Sequence, residues 1–282
     1  MKHFIVLTGI ALVAALTAGA DVGSAAALAH RWSFTDGSLA DAVEPGWVAV
    51  AEGAVKPGAD GKSVQLAGGV HGSSTLALGA DLLPDDAGSA TIEMWVTPTK
   101  ITNWGEYLCI GSSTKDYLVL GANLFDTGRP FLGVSGTTNT SGTLKATPAG
   151  EPLYFALTLR RRSEGGTRAR LSMRRPADGA ELGEVTVDAP NWNLATLDQQ
   201  AAVMGRSNFW LDLDVSLVCD ELRIWRTALT DAQLAESVKR GPDRLPAGIP
   251  AVAPSGASRA LRAVKRDELL CDWLAQDLSL PP

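Results

Sequence analysis

Two neighbouring carboxylates, Asp220 and Glu221, stand inside an apolar stretch, Val218–Leu234, that reads VCDELRIWRTALTDAQL. Acids in such a place could be a catalytic pair, ligands of a metal ion or a structural fixture. Adjacent side chains on a strand point to opposite faces, so these two cannot face one substrate together. By period two, Val218, Asp220, Leu222 and Ile224 share one side and Cys219, Glu221, Arg223 and Trp225 the other. With the apolar set turned inward, Asp220 is an inward carboxylate. It then requires a cation, an arginine or several backbone donors, because a bare buried carboxylate is too costly. Calcium, which takes about six to eight oxygen ligands, and the N–H groups of a neighbouring loop both satisfy that requirement.

Other chemistry is sparse. There is no G-x-S-x-G elbow and no Cys/His pair with a supporting context. With three histidines and three cysteines, none in a C-x-x-C spacing, a zinc or copper site is excluded. Aromatic residues beside amides are more suggestive, because a pyranose has an apolar face and polar hydroxyls. Asn103-Trp104 with Tyr107, Asn191-Trp192-Asn193 and Asn208-Phe209-Trp210 have that composition in loops or strand ends. Trp104, Tyr107, Trp192, Asn208 and Trp210 are therefore the candidate sugar contacts, each weighed against plain packing at a sandwich edge. Trp32, Trp95 and Trp225 fall within strands and read as core. Arg160, Arg161, Arg162, Arg168, Arg170, Arg174 and Arg175 crowd one hairpin. They read either as a patch for sulfated or uronic-acid polysaccharide or as a solvated face balanced by Glu151, Glu164, Glu181 and Glu184.

The elements that must position these residues are mostly strands. From Ala29 to Trp225, Gly, Asp, Asn or Pro recurs every eight to twelve residues or so, the rhythm of an all-β sandwich. Thr91–Thr97 and Leu153–Arg160 alternate as half-buried antiparallel strands. The latter continues through Arg168–Arg174 and Glu181–Val187 as a meander with Gly/Asp/Pro turns. Val64–Leu66, Thr75–Leu78, Tyr107–Ile110, Tyr117–Leu120 and Phe131–Val134 are further strands. One short helix closes the domain. Thr230 and Gln233 have capping-box spacing, Leu229 and Leu234 form a hydrophobic staple, and Gly241-Pro242 stops it.

The ends differ in composition. Residues 1–20, MKHFIVLTGIALVAALTAGA, have a basic start, an apolar run and a small-x-small ending, which makes a secretory signal cleaved after Ala20, with Ala25–Ala27 a second position. An uncleaved anchor is the alternative. No later segment is apolar enough to span a bilayer, which places the mature chain outside the cell, in the periplasm or at the envelope. Residues 246–258 read as a Pro/Ala/Gly-rich linker and 259–282 as a helical tail, either docked on the sandwich or recruiting another protein. The net charge of -6 argues against nucleic acid as the main partner. Cys109 and Cys219 fall in strands and could bridge or stay as buried thiols, while Cys271 lies in the tail.

Four blocks in this order, HRWSFTDGSLADAV, GKSVQLAGG, SATIEMWVTP and VMGRS followed by CDELRIWRTALTDAQL, resemble the laminin-G-like, concanavalin A-like jelly-roll modules of secreted bacterial proteins over residues 28–245. The Arg-rich hairpin and the tail depart from that pattern. The resemblance implies a two-sheet antiparallel jelly-roll sandwich, carbohydrate or protein ligands at one rim, frequent structural calcium and, in most members, no catalysis. It implies Asp36 and Asp41 as partners of Asp220 around such a calcium. Sugar-cleaving relatives use an E-x-D-x-x-E strand that is missing here; Asp212-Leu213-Asp214 is the nearest string. The expectation is a secreted, non-catalytic module for extracellular or cell-wall glycan, with a protein-interaction or scaffold module as the alternative.

Overall fold

The computed structural model describes residues 28–84, 88–111 and 113–246. The leader, nearly all of the linker, the tail and Cys271 lie outside the described residues. Period-two alternation folds the chain into two antiparallel sheets packed face to face. The first contains β1 (Leu28–Trp32), β3 (Val55–Pro57), β4 (Val64–Leu66), β6 (Ser89–Lys100), β10 (Leu153–Arg161), β11 (Thr167–Arg174), β12 (Glu181–Ala189) and β14 (Ser216–Trp225). Its order is β12-β11-β10-β6-β14-β4-β3, and β1 also pairs with β14. The second contains β2 (Val50–Gly53), β5 (Ser74–Gly79), β7 (Glu106–Ile110), β8 (Leu118–Gly121), β9 (Phe131–Val134) and β13 (Ala202–Met204), in the order β2-β5-β13-β7-β8-β9. The result is the jelly-roll sandwich that the sequence predicts.

The main core lies between the sheets. Ile92, Met94 and Val96 of β6 meet Leu153, Phe155, Leu157 and Leu159 of β10 and the inward Leu76, Leu78, Leu118, Leu120, Leu132 and Val134 of the second sheet. Trp32 belongs to this core. Trp95 and Trp225 pack elsewhere, on the outer face of the first sheet beneath α1 (Asp231–Arg240), with Leu229, Leu234 and Val238. The helix starts where the sequence places it: Thr230 accepts from Gln233 N, and the Gln233 side chain reaches back to Thr230 N. Among the described residues no helix is long and apolar enough to cross a membrane.

Candidate functional site

The acid pair resolves into one structural residue and one half-exposed one. Cys219 opposes Val96 and Glu221 opposes Trp95, so Asp220 is an extra residue, a bulge that reverses the alternation of β14. The bulge sits where β14 changes edge partner from β4 to β1. Leu217 and Cys219 face the core before it, Leu222 and Ile224 after it. Asp220 is therefore not the inward carboxylate that strict period two predicts. Burial, then Asp60, Asp243 and Glu221, push its carboxyl up to about 6.

Glu221 is the buried member. Arg31 Nε and Nη2 grip it at 2.8 and 3.1 Å, Arg223 Nε donates to it, and Asp243 N donates at 2.6 Å. Burial raises its pKa, but the two guanidiniums outweigh that and hold it below the ordinary carboxylate range. Arg223 is itself fully buried. It stacks on Trp95 at 4.4 Å and donates to Ser237 Oγ and to the carbonyls of Gly241 and Arg244. Glu93 beside it accepts from Tyr154 Oη at 2.6 Å and Trp225 Nε1 at 2.5 Å. This network ties β1, β6, β10, β14 and α1 together, so Glu221 is a structural fixture.

The proposed ion partners are not gathered around Asp220. Asp41 is buried and accepts from His30 Nδ1, Arg31 N and Val43 N at 2.6, 2.8 and 2.8 Å. Asp36 is exposed in a tight turn with φ 56°. Among the described residues no three His, Cys, Asp or Glu side chains converge to hold a metal ion.

A different surface has the shape of a binding face: the outer side of the six-stranded sheet. Cross-strand register lines up Val50, Ala77, Val203, Cys109, Val119 and Gly133 in one row, and Glu106, Gly121 and Phe131 in the next. Small residues make this floor low. A Cβ on Gly121 would lie 1.9 Å from the Phe131 ring, so the ring lies flat across the strand only because Gly121 is bare. Trp104, Tyr117 and Leu124 pack onto this floor from the loops. Trp104 meets Phe125 and Phe131 edge-on at 4.5 and 5.7 Å, and Tyr117 meets Phe209 edge-on at 5.6 Å. Phe125 is 69% exposed, Trp210 61% and Leu211 73%. The loops and rings cover this floor, leaving Cys109, Val119, Phe131 and Val203 buried, and the side chains that reach solvent beside it are Phe125 and, on the neighbouring loop, Trp210 and Leu211.

Charged groups back one side of it. Glu106, 2% exposed, bonds Ser207 Oγ at 2.9 Å, and the same hydroxyl bonds Asp212 Oδ2 at 2.8 Å. Burial pushes Glu106 up to about 8. Asp214 accepts from Ser74 N and Gly72 N, pinning the loop that carries His71. Burial and then Arg206 hold His71 below its ordinary value.

Of the sequence candidates, Trp104 packs onto this face, and Trp210 is exposed on the loop whose Phe209 meets Tyr117. Tyr107 does not: a bulge between Glu106 and Leu108 turns it into the core against Phe155 at 5.5 Å. Trp192 is buried, with Nε1 3.3 Å from Asp116 Oδ1. Asn208 spends its amide on the carbonyls of Gly111 and Ser113. Tyr117, Phe125 and Glu106 are the residues here that local composition does not single out, while Phe209 stands in the Asn208-Phe209-Trp210 string that it does. Four of the seven hairpin arginines are paired with acids: Arg168 forks onto Asp188 at 2.7 and 2.9 Å, Arg170 meets Glu184 and Asp231, Arg162 meets Glu164 and Arg175 meets Asp178, while Arg160 reaches the carbonyls of Ala228 and Leu229. Cys109 and Cys219 are buried free thiols on opposite sheets.

Two sheets in this order, with a glycine-lowered outer face, define a lectin-like sandwich. The chain belongs to the Concanavalin A-like lectin/glucanases superfamily, whose laminin-G-type model matches residues 70–235. No curated protein matches it. Solved structures share the fold at low identity. Domain 4 of AbnA, a GH43 extracellular arabinanase from Geobacillus stearothermophilus solved with arabinotriose, is 19% identical, with 75% of this chain and 98% of that one covered at a TM-score of 0.56. The binding domain of botulinum neurotoxin DC, solved with rat synaptotagmin II, is 10% identical, with 76% and 52% covered at 0.53. This chain thus spans nearly all of the first and about half of the second.

Proposed function

We propose that this is a non-catalytic module that binds carbohydrate outside the cell, with the outer face of the six-stranded sheet as its platform. The observation that carries the reading is the set of exposed aromatic side chains on the loops that cover this sheet, with Trp210 61% exposed and Phe125, 69% exposed, braced on Trp104. Apolar sugar faces stack on exposed aromatic side chains of this kind. The arabinotriose complex of AbnA domain 4 supports a glycan on this fold. The absence of catalysis rests on the carboxyls: Glu106 and Asp212 are tied to one serine rather than opposed across a cleft. Export rests on residues 1–20.

The test is titration calorimetry against a panel of arabinan, xylan, glucan and galactan oligosaccharides. Trp210→Ala and Trp104→Ala should each weaken binding at least about tenfold, or about 1.4 kcal/mol; the first should leave the unfolding midpoint unchanged, and the second, which also removes packing on Phe131, is read at a temperature where it is fully folded. Retained affinity in both variants would move the site off this face. A protein partner is the second reading, favoured by the exposed Val70 and Leu211, 71% and 73% exposed. It predicts no glycan binding at millimolar concentration and loss of partner capture in Leu211→Asp.

A further inference from the structure

The loop from Arg206 to Leu213 carries Trp210, and besides the Asn208 amide it is held by one hydroxyl with too many claims on it. Ser207 is fully buried. Its Oγ accepts from Phe209 N at 2.9 Å and lies 2.9 Å from Glu106 Oε1 and 2.8 Å from Asp212 Oδ2. A hydroxyl offers one proton and two lone pairs. Phe209 N–H takes one lone pair, which leaves one proton and one lone pair for two carboxyl groups. Only one carboxyl can accept the serine proton. The other must bring a proton of its own and donate it.

That proton sits on Glu106. Glu106 lies at the sheet floor, while Asp212 is half-buried in the loop and keeps contact with solvent. The chain of donors therefore runs from the Glu106 carboxyl to Ser207 and on to the Asp212 carboxylate. Asp212 N also donates to Phe209 O, closing the turn from which Trp210 projects. We infer that Glu106 is a positioning residue for the Trp210 loop: as a neutral donor it orients Ser207 toward Asp212, and losing its proton frees the loop and dismantles the aromatic rim. The consequence for affinity rests on the carbohydrate reading of this face.

The surrounding charges fit that assignment. From β7, the Cys109 thiol lies against Glu106 and burial keeps it neutral. From the loop, Asp212 opposes a second negative charge, while hydrogen bonds from the Cys109 thiol, the Ser207 hydroxyl and Asn208 N favour the ionised form; the same segment also carries Arg206 and Asp214. His71 is held neutral, and Tyr117, before β8, stays protonated because burial and then Glu106 raise it. Burial is the largest influence on Glu106, whose proton leaves at about 8.

The experiment follows Trp210 in the full chain from pH 6 to 10, as iodide quenching of wild type minus Trp210→Phe. The expected result is a single rise in accessibility with a midpoint near 8. Glu106→Gln should abolish the transition and keep Trp210 in the low-pH state, because its amide donates to Ser207 at every pH. Asp212→Asn should also abolish the transition, since its amide donates to Ser207 once Glu106 ionises and keeps the loop tied. A transition unchanged in Glu106→Gln, or no transition in wild type, overturns the inference; if Glu106→Gln does not fold, an unchanged transition in Asp212→Asn does so alone. For the sugar that binds best, affinity should fall about tenfold from pH 7 to 9, the ratio of protonated fractions. Loop titration without any glycan binding would sink the carbohydrate reading and leave the positioning role standing. Glycan affinity that ignores pH while the loop titrates would refute the link to binding.

Discussion

Arg223 is the residue on which the outer side of the first sheet depends. It is buried among Glu93, Glu221, Trp95 and Ser237, so removing its charge leaves two buried carboxyls without their shared cation. Arg223→Met should cost about 3–5 kcal/mol in urea unfolding, whereas Arg168→Ala, on a solvated pair, should leave the midpoint unchanged. The pH dependence has opposite signs at the two neighbouring acids. The folded state holds Glu221 below its ordinary value, so its stabilisation is present above that range and fades as pH falls through the lowered pKa; Glu221→Gln should flatten the acid limb of a stability profile. Asp220 is raised to about 6, so it destabilises progressively as pH rises from the ordinary carboxylate range to that value. Asp220→Asn should accordingly raise the midpoint at pH 7 and leave it unchanged near about pH 3, in the presence of chelator. A calcium ion on Asp220 would reverse the first sign, with the variant less stable than wild type in calcium alone. The D-E pair was legible as structurally important, but its partition was not: one bulge residue decides which acid is buried, and nothing in VCDELRIW marks it. Tyr107 fell to the same device on β7.

Elements were legible wherever alternation and turn chemistry agree. β4 and β9 have the predicted bounds, and β6, β10, β11 and β12 differ from theirs only at the ends. The helix carries its own start and stop in Thr230, Gln233 and Gly241. What strand alternation cannot say is which face is covered by what. The outer row of the second sheet looks like any half-polar strand face until Gly121, Gly133 and the loop at 122–130 come together. That dependence gives a test at the scale of the sheet. Gly121→Ala places a methyl within van der Waals overlap of Phe131, so the ring must rotate and Trp104 and Phe125 lose their support. The substitution should destabilise by about 1–3 kcal/mol and should weaken glycan binding beyond what the unfolded fraction explains, read by calorimetry at a temperature where the variant is fully folded.

At the scale of the whole molecule, the sandwich divides its labour between its two outer faces. α1 and the Glu93–Arg223–Glu221 network seal the first sheet, while loops and aromatic rings line the second. The two are separated by the main core and share no side-chain partner, so changes on each should add. Composition foretold a sandwich but not this division, because it depends on contacts such as Glu106 to Ser207, about a hundred positions apart in the chain. Leu234→Ala, from the buried face of α1, should cost about 2–5 kcal/mol of stability and leave affinity of the folded protein intact. Trp210→Ala should lose affinity and keep stability. The double variant should show both losses with an interaction energy below about 0.5 kcal/mol in each property, measured by urea unfolding and calorimetry on the same preparations. A larger coupling would mean that the sheets transmit strain through the core, and that α1, rather than closing a fold, tunes the binding face from behind.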